Sequence, residues 1–502
     1  MSASIRNGLP LRYRIESEII PGLKIETRAF ILSTFRTWAS CLLQGIDMSI
    51  QMKDIGAAVL ATEYAVRGPI VARAEELEKQ SREIIYCNIG NPQSLGQKPI
   101  TWLRQLLAMC EYPALMEMGG SVFPADAVET SRAILKGSQH GLGAYSESKG
   151  VHFIREAVAE FIRQRDGVSA DPEAIFLTDG ASKGVQTVLR LLLASPADGI
   201  MIPIPQYPLY SATITLYEGR IVPYYLDEAD HWKLNRSMLE DSLRVARAQG
   251  TRVKAICIIN PGNPTGAVLD EKNIAMVLEF ARQNGLAVLA DEVYQDDIYL
   301  PGDKFVSFAR VLDAQRIDDV SLFSFHSCSK GVLGECGVRG GYFECRNVSA
   351  EVSAQILKLM SVSLCSNLAG QVATYAMVHP PRPGDPSYEL YNREKTGILE
   401  EMKKRAVLLA DGLNKIDGIS CNAIAGAMYA FPRITLPPGK SDEDYCMALL
   451  EETGICVVPG SGFGQVAGTA HFRITILPPT EKIRQVVEKL SAFHEAYALA
   501  MK

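Results

Sequence analysis

Short runs of branched apolar residues alternate along the chain with longer stretches in which apolar positions recur every three or four residues. The runs are Ala174–Thr178 (AIFLT), Ile200–Ile204 (IMIPI), Lys254–Ile259 (KAICII), Leu286–Ala290 (LAVLA), Val320–Phe325 (VSLFSF) and Gly340–Glu344 (GGYFE). They are nearly continuous in apolar character, which is the pattern of strands buried on both faces of a parallel sheet. The stretches Lys149–Arg165, Ser182–Ala194, Lys272–Asn284 and Ala350–Val362 have helical period and supply the covering layers. The predicted class is therefore α/β with a mostly parallel sheet. The proline-rich His379–Pro386 interrupts the alternation. A long helical pattern over Glu389–Asn414 follows, and then Gly418–Leu436, which reads as strands. A domain boundary is expected near residue 385, with a smaller α+β domain after it.

The chain has 502 residues, 51 of them basic and 57 acidic, a net charge of −6, and 47% hydrophobic residues. This composition excludes intrinsic disorder, a collagen-like repeat and a disulfide scaffold. The acidic balance speaks against nucleic acid as a partner, because that interaction needs a basic face. The eleven cysteines include no C-x-x-C pair and no accompanying histidine cluster. Metal is therefore not expected, and the thiols read as small hydrophobes in a reducing compartment. Ala29–Ile46 is apolar apart from Arg36. A membrane anchor is opposed by that central arginine, and a transit peptide by Glu16, Glu18 and Glu26 just before it. The favoured reading is an unordered extension, or a working start at Met48 or Met52. No later segment is long and apolar enough to span a membrane, so the body is expected in the cytoplasm, or in the mitochondrion if the extension acts as a transit peptide.

Several residues stand out chemically. Lys330 in SFHSCSKG follows a buried strand and lies among small hydroxyl residues and glycines. Most lysines are solvated surface charges, but a partly desolvated amine at a sheet edge can form a Schiff base. His326 and Cys328 nearby suggest a thiol nucleophile only weakly, since no third orienting group is evident. LTDGASKG is a strand, a tight turn and a helix start, whose Gly180, Ala181 and Ser182 amides form an anion cradle. The run matches neither G-x-G-x-x-G nor the P-loop pattern. Asn263 in INPGNPTG sits where α/β sheets bind ligands, although an ordinary turn would look similar. LADEVYQDD ends a buried strand with Asp291, Glu292 and Tyr294. A carboxylate there needs a partner, either a structural one or a cationic ligand nitrogen. Arg339 and Arg473 lie in apolar, strand-like settings, where a guanidinium usually holds an anion.

In this order GAS, PQYPLYS, NPGNPTG, ADEVYQD, SFHSCSKG, RGG and HFRITILPP resemble the motifs of fold-type I pyridoxal-phosphate aminotransferases. EYAVRGPIV, HGLGAYSESKG, GECGVRGGY, LKLMSV and EETGICVVPGSGFGQ bring the resemblance closer to the alanine aminotransferases. It spans residues 53–502 and leaves 1–52 unmatched. It implies an N-terminal arm and part of the small domain over 53–100, a large cofactor-binding domain over 101–385 and a small C-terminal domain over 386–502. It also implies pyridoxal 5′-phosphate bound covalently to Lys330, which once freed would shuttle a proton to and from the substrate. Asp291 would pair with the ring nitrogen, Tyr294 and Asn263 with the ring oxygen, and Tyr207 would stack on the ring. Gly180, Ala181, Ser182, Ser327 and Arg339 would hold the phosphate, with Tyr145 of the partner subunit reaching in. Arg473 would grip the substrate carboxylate beside Asn263, and Gly90 would close over it. The resemblance implies a homodimer acting on small amino and 2-oxo acids, transferring the amino group of L-alanine to 2-oxoglutarate. Its alternatives are a glutamate–glyoxylate, tyrosine or kynurenine aminotransferase, a C–S lyase, or a non-catalytic sensor of the same fold. The segment LPPGKSDEDY looks shortened relative to some alanine aminotransferases, which alters a surface and no catalytic position.

Overall fold

The computed structural model describes residues 50–64, 68–118 and 122–499. The chain divides into two compact units, Met1–Leu60 and Ala61–Lys502. In the first, the described residues include a single 3-10 turn at Met52–Asp54. The Ala29–Ile46 stretch lies outside the described residues. All that follows concerns the second unit.

After a two-residue strand β1 (Ile85–Tyr86) come seven strands of one sheet. They are β2 (Ile175–Thr178), β3 (Asp198–Ile204), β4 (Arg220–Tyr225), β5 (Arg252–Ile259), β6 (Ala287–Asp291), β7 (Leu322–Ser327) and β8 (Gly341–Arg346). Their order across the sheet is β2-β8-β7-β6-β5-β3-β4. From β4 to β7 every pairing is parallel, while β8 lies antiparallel between β7 and β2. The mostly parallel α/β sheet expected from the apolar runs is present. The sequence pattern missed β4, which alternates buried and exposed positions and carries Pro223. Both traits belong to an edge strand, where one ladder is absent and a missing N–H costs nothing.

Successive residues of the central strands go to different apolar cores. Ile256, Ile258, Val288 and Leu322 join one, and Ala255, Cys257, Leu289 and Phe323 the other. This period of two with both sets buried is why these strands read as unbroken apolar runs. The helix Ala181–Leu192, which leaves the end of β2, buries Val185, Val188 and Leu189 in the second of these cores.

Beyond the proline-rich break the long helix is Tyr388–Leu413. The Gly418–Leu436 segment forms three two-residue strands, β9 (Ile419–Ser420), β10 (Tyr429–Ala430) and β11 (Arg433–Ile434). The bend at Ala427 and Met428 separates β9 from β10, and Phe431 and Pro432, which lie outside any strand, separate β10 from β11, so extended pairing is confined to these short pieces. Three more follow: β12 (Ile455–Cys456), β13 (Val458–Pro459) and β14 (Phe472–Thr475). β14 lies antiparallel between β10 and β13, and β1 pairs in parallel with β12. A third core therefore joins Ile70, Leu77 and Ile85 to Leu409, Leu449, Ile474 and Val486. Among the described residues no helix is long and apolar enough to cross a membrane, and no described cysteine is paired in a disulfide.

Candidate active site

The carboxyl ends of β5, β6 and β7 open on a cavity of about 760 Å³, the position at which parallel α/β sheets take ligands. Asp291 closes β6 and is 4% exposed. Its Oδ2 accepts a hydrogen bond from the Tyr210 hydroxyl at 2.9 Å, and its Oδ1, also buried, has no partner. Burial pushes the carboxyl up to about 6, against the pull of the Tyr210 hydroxyl, the Val293 amide and the Lys330 charge. Just past β7, Lys330 Nζ donates to the carbonyl of Gly90 at 2.6 Å. Tyr294 lines the same cavity, and burial together with the neighbouring phenols of Tyr429 and Tyr207 holds its hydroxyl well above the ordinary phenol range.

At one end of the cavity the chain turns from β2 into its helix. Gly180 there has φ +75°, and a Cβ on it would sit 2.6 Å from Arg339 Nη2. Only glycine fits that combination of left-handed backbone and close approach. Arg339 donates to the carbonyls of Asp179 (3.1 Å) and Cys336 (3.1 Å) and to Ser329 Oγ (3.3 Å). Ser327 Oγ donates to the Gly340 carbonyl at 3.1 Å and accepts from the Ser329 amide at 3.0 Å. Ala181, Ser182, Ser327, Ser329 and Arg339 all face the cavity. The first-turn amides and the guanidinium together make a site for an anion.

Arg473 on β14 is 1% exposed and lies between two aromatic rings, Tyr429 at 4.2 Å and Phe463 at 4.6 Å from its Cζ. Its Nη1 donates to Asn263 Oδ1 at 3.3 Å and its Nη2 to the Asn88 carbonyl, while Nε is buried without a partner. It has no ion pair among the described residues, so a buried cation is left short of an anion.

Of the residues singled out in the sequence, Gly90, Ala181, Ser182, Tyr207, Asn263, Asp291, Tyr294, Ser327, Lys330 and Arg339 line this one cavity. Gly180 shapes it through Arg339, and Arg473 reaches it through Asn263. Tyr145 does not join them: it is 77% exposed and outside the cavity lining. The weak thiol alternative fails on geometry. Cys328 and His326 are both buried away from the cavity lining. Burial pushes the Cys328 thiol up to about 12 and the His326 imidazole down to about 3, so neither thiolate nor base is available.

Residues 115–490 match the family model for aminotransferase class I and II. The chain belongs to that aminotransferase family. It is similar to the protein named alanine aminotransferase 1, mitochondrial, of Arabidopsis thaliana, 48% identical over 475 residues that span 90% of this chain and 88% of that one. It is also similar to glutamate–glyoxylate aminotransferase 1 of Arabidopsis thaliana, 47% identical over 450 residues, 87% of this chain and 94% of that one. Among solved structures, an alanine aminotransferase from Pyrococcus furiosus superposes with a TM-score of 0.73 at 28% identity, covering 88% of this chain and all of the other (100%).

For an aminotransferase the arrangement is chemically coherent: an amine, an acid with a bare oxygen and an anion cradle share one cavity, and the guanidinium fork of Arg473 adjoins it through Asn263. Sequence reasoning overlooked several of its members. Tyr210 lies one helical turn after Tyr207 in PQYPLYS, a spacing that could have paired the two. Ser329 sits beside Lys330 among the other hydroxyls. Tyr64, whose hydroxyl meets that of Tyr207 at 2.9 Å, stands in EYAVRGPIV without having been given a role, and Tyr429 comes from a distant part of the chain and carried no local signal.

Proposed function

We propose that this aminotransferase moves the amino group of L-alanine to 2-oxoglutarate, giving pyruvate and L-glutamate, with pyridoxal 5′-phosphate held on Lys330. The observation that carries the reading is the meeting of the Lys330 amine and the bare Asp291 oxygen in one cavity. The similarity to enzymes named alanine aminotransferases supports the donor and acceptor. Exchange between glutamate and glyoxylate is the second reading, favoured by the similarity to a protein of that name.

The residues present fit the cofactor. The unpartnered Asp291 Oδ1 suits a cationic ring N–H, which would return the carboxyl to its ionised form. The cradle of Ala181, Ser182, Ser327 and Arg339, kept open by Gly180, suits a phosphate. Once bound, the cofactor supplies an electron-withdrawing ring that accepts the charge left when the substrate loses its α-proton.

The chain's own residues do the rest. Asp291 would hold a proton on the ring nitrogen, and Tyr210 fixes the orientation of its carboxyl. Tyr207 would cover one face of the ring, and Tyr294 and Asn263, which line the same cavity, would hold its oxygen. Lys330 anchors the cofactor and, when released by substrate, takes the proton from Cα and returns it as a general acid–base group. Arg473 would turn from its neutral acceptor Asn263 to the substrate α-carboxylate, a bidentate charge-assisted pair, and Gly90 would close over it. The exposed Tyr145 serves the site of a partner copy, so the working form is a homodimer. The protein works in the cytoplasm, or in the mitochondrion if the segment before residue 53 acts as a transit peptide; the mitochondrial name of a relative supports the second.

The test is to add pyridoxal 5′-phosphate to the purified protein, reduce with borohydride and map the modified peptide. Label on Lys330, and bleaching of the visible band by L-alanine before reduction, are expected. A protein that stays colourless, or is labelled elsewhere, refutes the assignment. Full bleaching by glutamate with none by alanine would favour the second reading.

A further inference from the structure

Tyr429, on β10, is buried and has no place in the roles given so far. Its ring lies under the guanidinium of Arg473, whose Cζ is 4.2 Å from the ring centre, with Phe463 as the second ring on that cation. Its edge meets the Tyr294 ring, with centroids 6.3 Å apart and planes at 85°. At its other end the hydroxyl crowds Gly90: a Cβ placed there would collide with it and lie 3.2 Å from Lys330 Nζ. The Gly90 carbonyl is the acceptor that Lys330 uses. One side chain therefore touches the cation that awaits a carboxylate and the backbone that holds the reactive amine.

We infer that Tyr429 is a positioning residue with two separable actions: its ring fixes the plane of the Arg473 fork, and its hydroxyl, against Gly90 and Tyr294, sets the surroundings of Lys330. This rests on the function proposed above. The ring action follows from how unevenly Arg473 is held. The Asn88 carbonyl fixes Nη2 alone, while the long bond to Asn263 and the bare Nε leave the rest of the fork free to pivot unless the aromatic faces hold it. The hydroxyl action follows from crowding. The phenol packs where only a glycine leaves room, so removing its oxygen opens space directly beside the amine's acceptor. The charged or titratable groups around it are Arg473, Lys330, Tyr294 and Tyr207.

The two actions are told apart with the cofactor-loaded protein and the variants Tyr429→Phe and Tyr429→Leu. Propionate, a carboxylate with no amine to react, is titrated by its effect on the visible band, and the pH midpoint of that band is measured separately. Tyr429→Phe keeps the ring. It is expected to bind propionate within about twofold of wild type while its midpoint moves by about half a unit or more. Tyr429→Leu is expected to move both, with propionate weakened about tenfold. If the leucine variant does not fold, Tyr429→Met retains bulk without a π face and is expected to behave as leucine would. An unmoved midpoint in Tyr429→Phe, or wild-type propionate affinity in the ring-less variant, overturns the inference. A wild-type protein that takes up no cofactor overturns the underlying functional reading; a loaded wild type whose variants match it overturns this inference alone.

Discussion

The Tyr210 hydroxyl donates to one oxygen of Asp291 at 2.9 Å and leaves the other bare. The acid is thereby oriented but not neutralised. An isolated buried carboxylate is costly, and this one stays partly protonated, with its pKa raised to about 6 from an ordinary carboxylate value of about 3.9.

That shift has a definite sign. A carboxyl whose folded-state value is raised favours the fold while it is protonated, and its contribution is lost as pH rises. In the cofactor-free protein the loss runs from about pH 4 through 6 and amounts to roughly 3 kcal/mol at its limit. Denaturant unfolding of wild type against Asp291→Asn should show a stability difference that grows across that window and then levels. Cofactor should shrink it. A difference that is flat in pH would contradict the assignment. Tyr210→Phe should raise the Asp291 value further and weaken cofactor binding by roughly 1.5–3 kcal/mol, read from the cofactor's dissociation constant.

In the proposed function, Lys330→Ala would remove both the covalent anchor and the proton carrier. Activity in the alanine half-reaction should fall beyond the roughly 10²–10⁴-fold typical of a lost general base. Single-turnover spectroscopy with added cofactor would register the loss. A rate equal to wild type would be incompatible with the proposed role.

Arg473→Lys keeps the charge and loses the planar fork between Tyr429 and Phe463. KM should rise by roughly tenfold or more for every amino acid and 2-oxo acid alike, because all share the α-carboxylate. Steady-state kinetics with two donors of different side chain distinguish this from a specificity effect, which would raise one KM and spare the other.

Gly180→Ala places a methyl against Arg339 in a left-handed backbone, at about 1–2 kcal/mol for the conformation alone. Cofactor affinity should drop about tenfold or more while the thermal midpoint of the cofactor-free protein moves little. Fluorescence titration with pyridoxal phosphate measures the first quantity and calorimetry the second.

The parts of this site that were legible in the sequence are those tied to the sheet. Asp291 closes an apolar strand, Lys330 follows one by three residues and Arg339 precedes one by two, so the run of hydrophobic residues points at each of them. Arg473 stood out as a charge inside a strand. What sequence could not show depends on folding distant segments together. Tyr429 meets Gly90 across most of the chain's length, and Arg473 leans on a backbone carbonyl, that of Asn88, which side-chain identity does not report. β4 escaped for the opposite reason: an edge strand is half exposed and lacks the continuous apolar signature of its neighbours.

Because β8 runs against β7, the short connection from Ser327 to Gly341 leaves the sheet and re-enters it at the same end. It delivers Lys330 at its outset and Arg339 at its close. The placements of this amine and this guanidinium at the cavity are thus both set by the length of one loop. An insertion or deletion there would displace both at once, and composition is fixed along with length, since a Cβ on Gly340 would collide with the Gly370 carbonyl and Gly334 holds φ +59°.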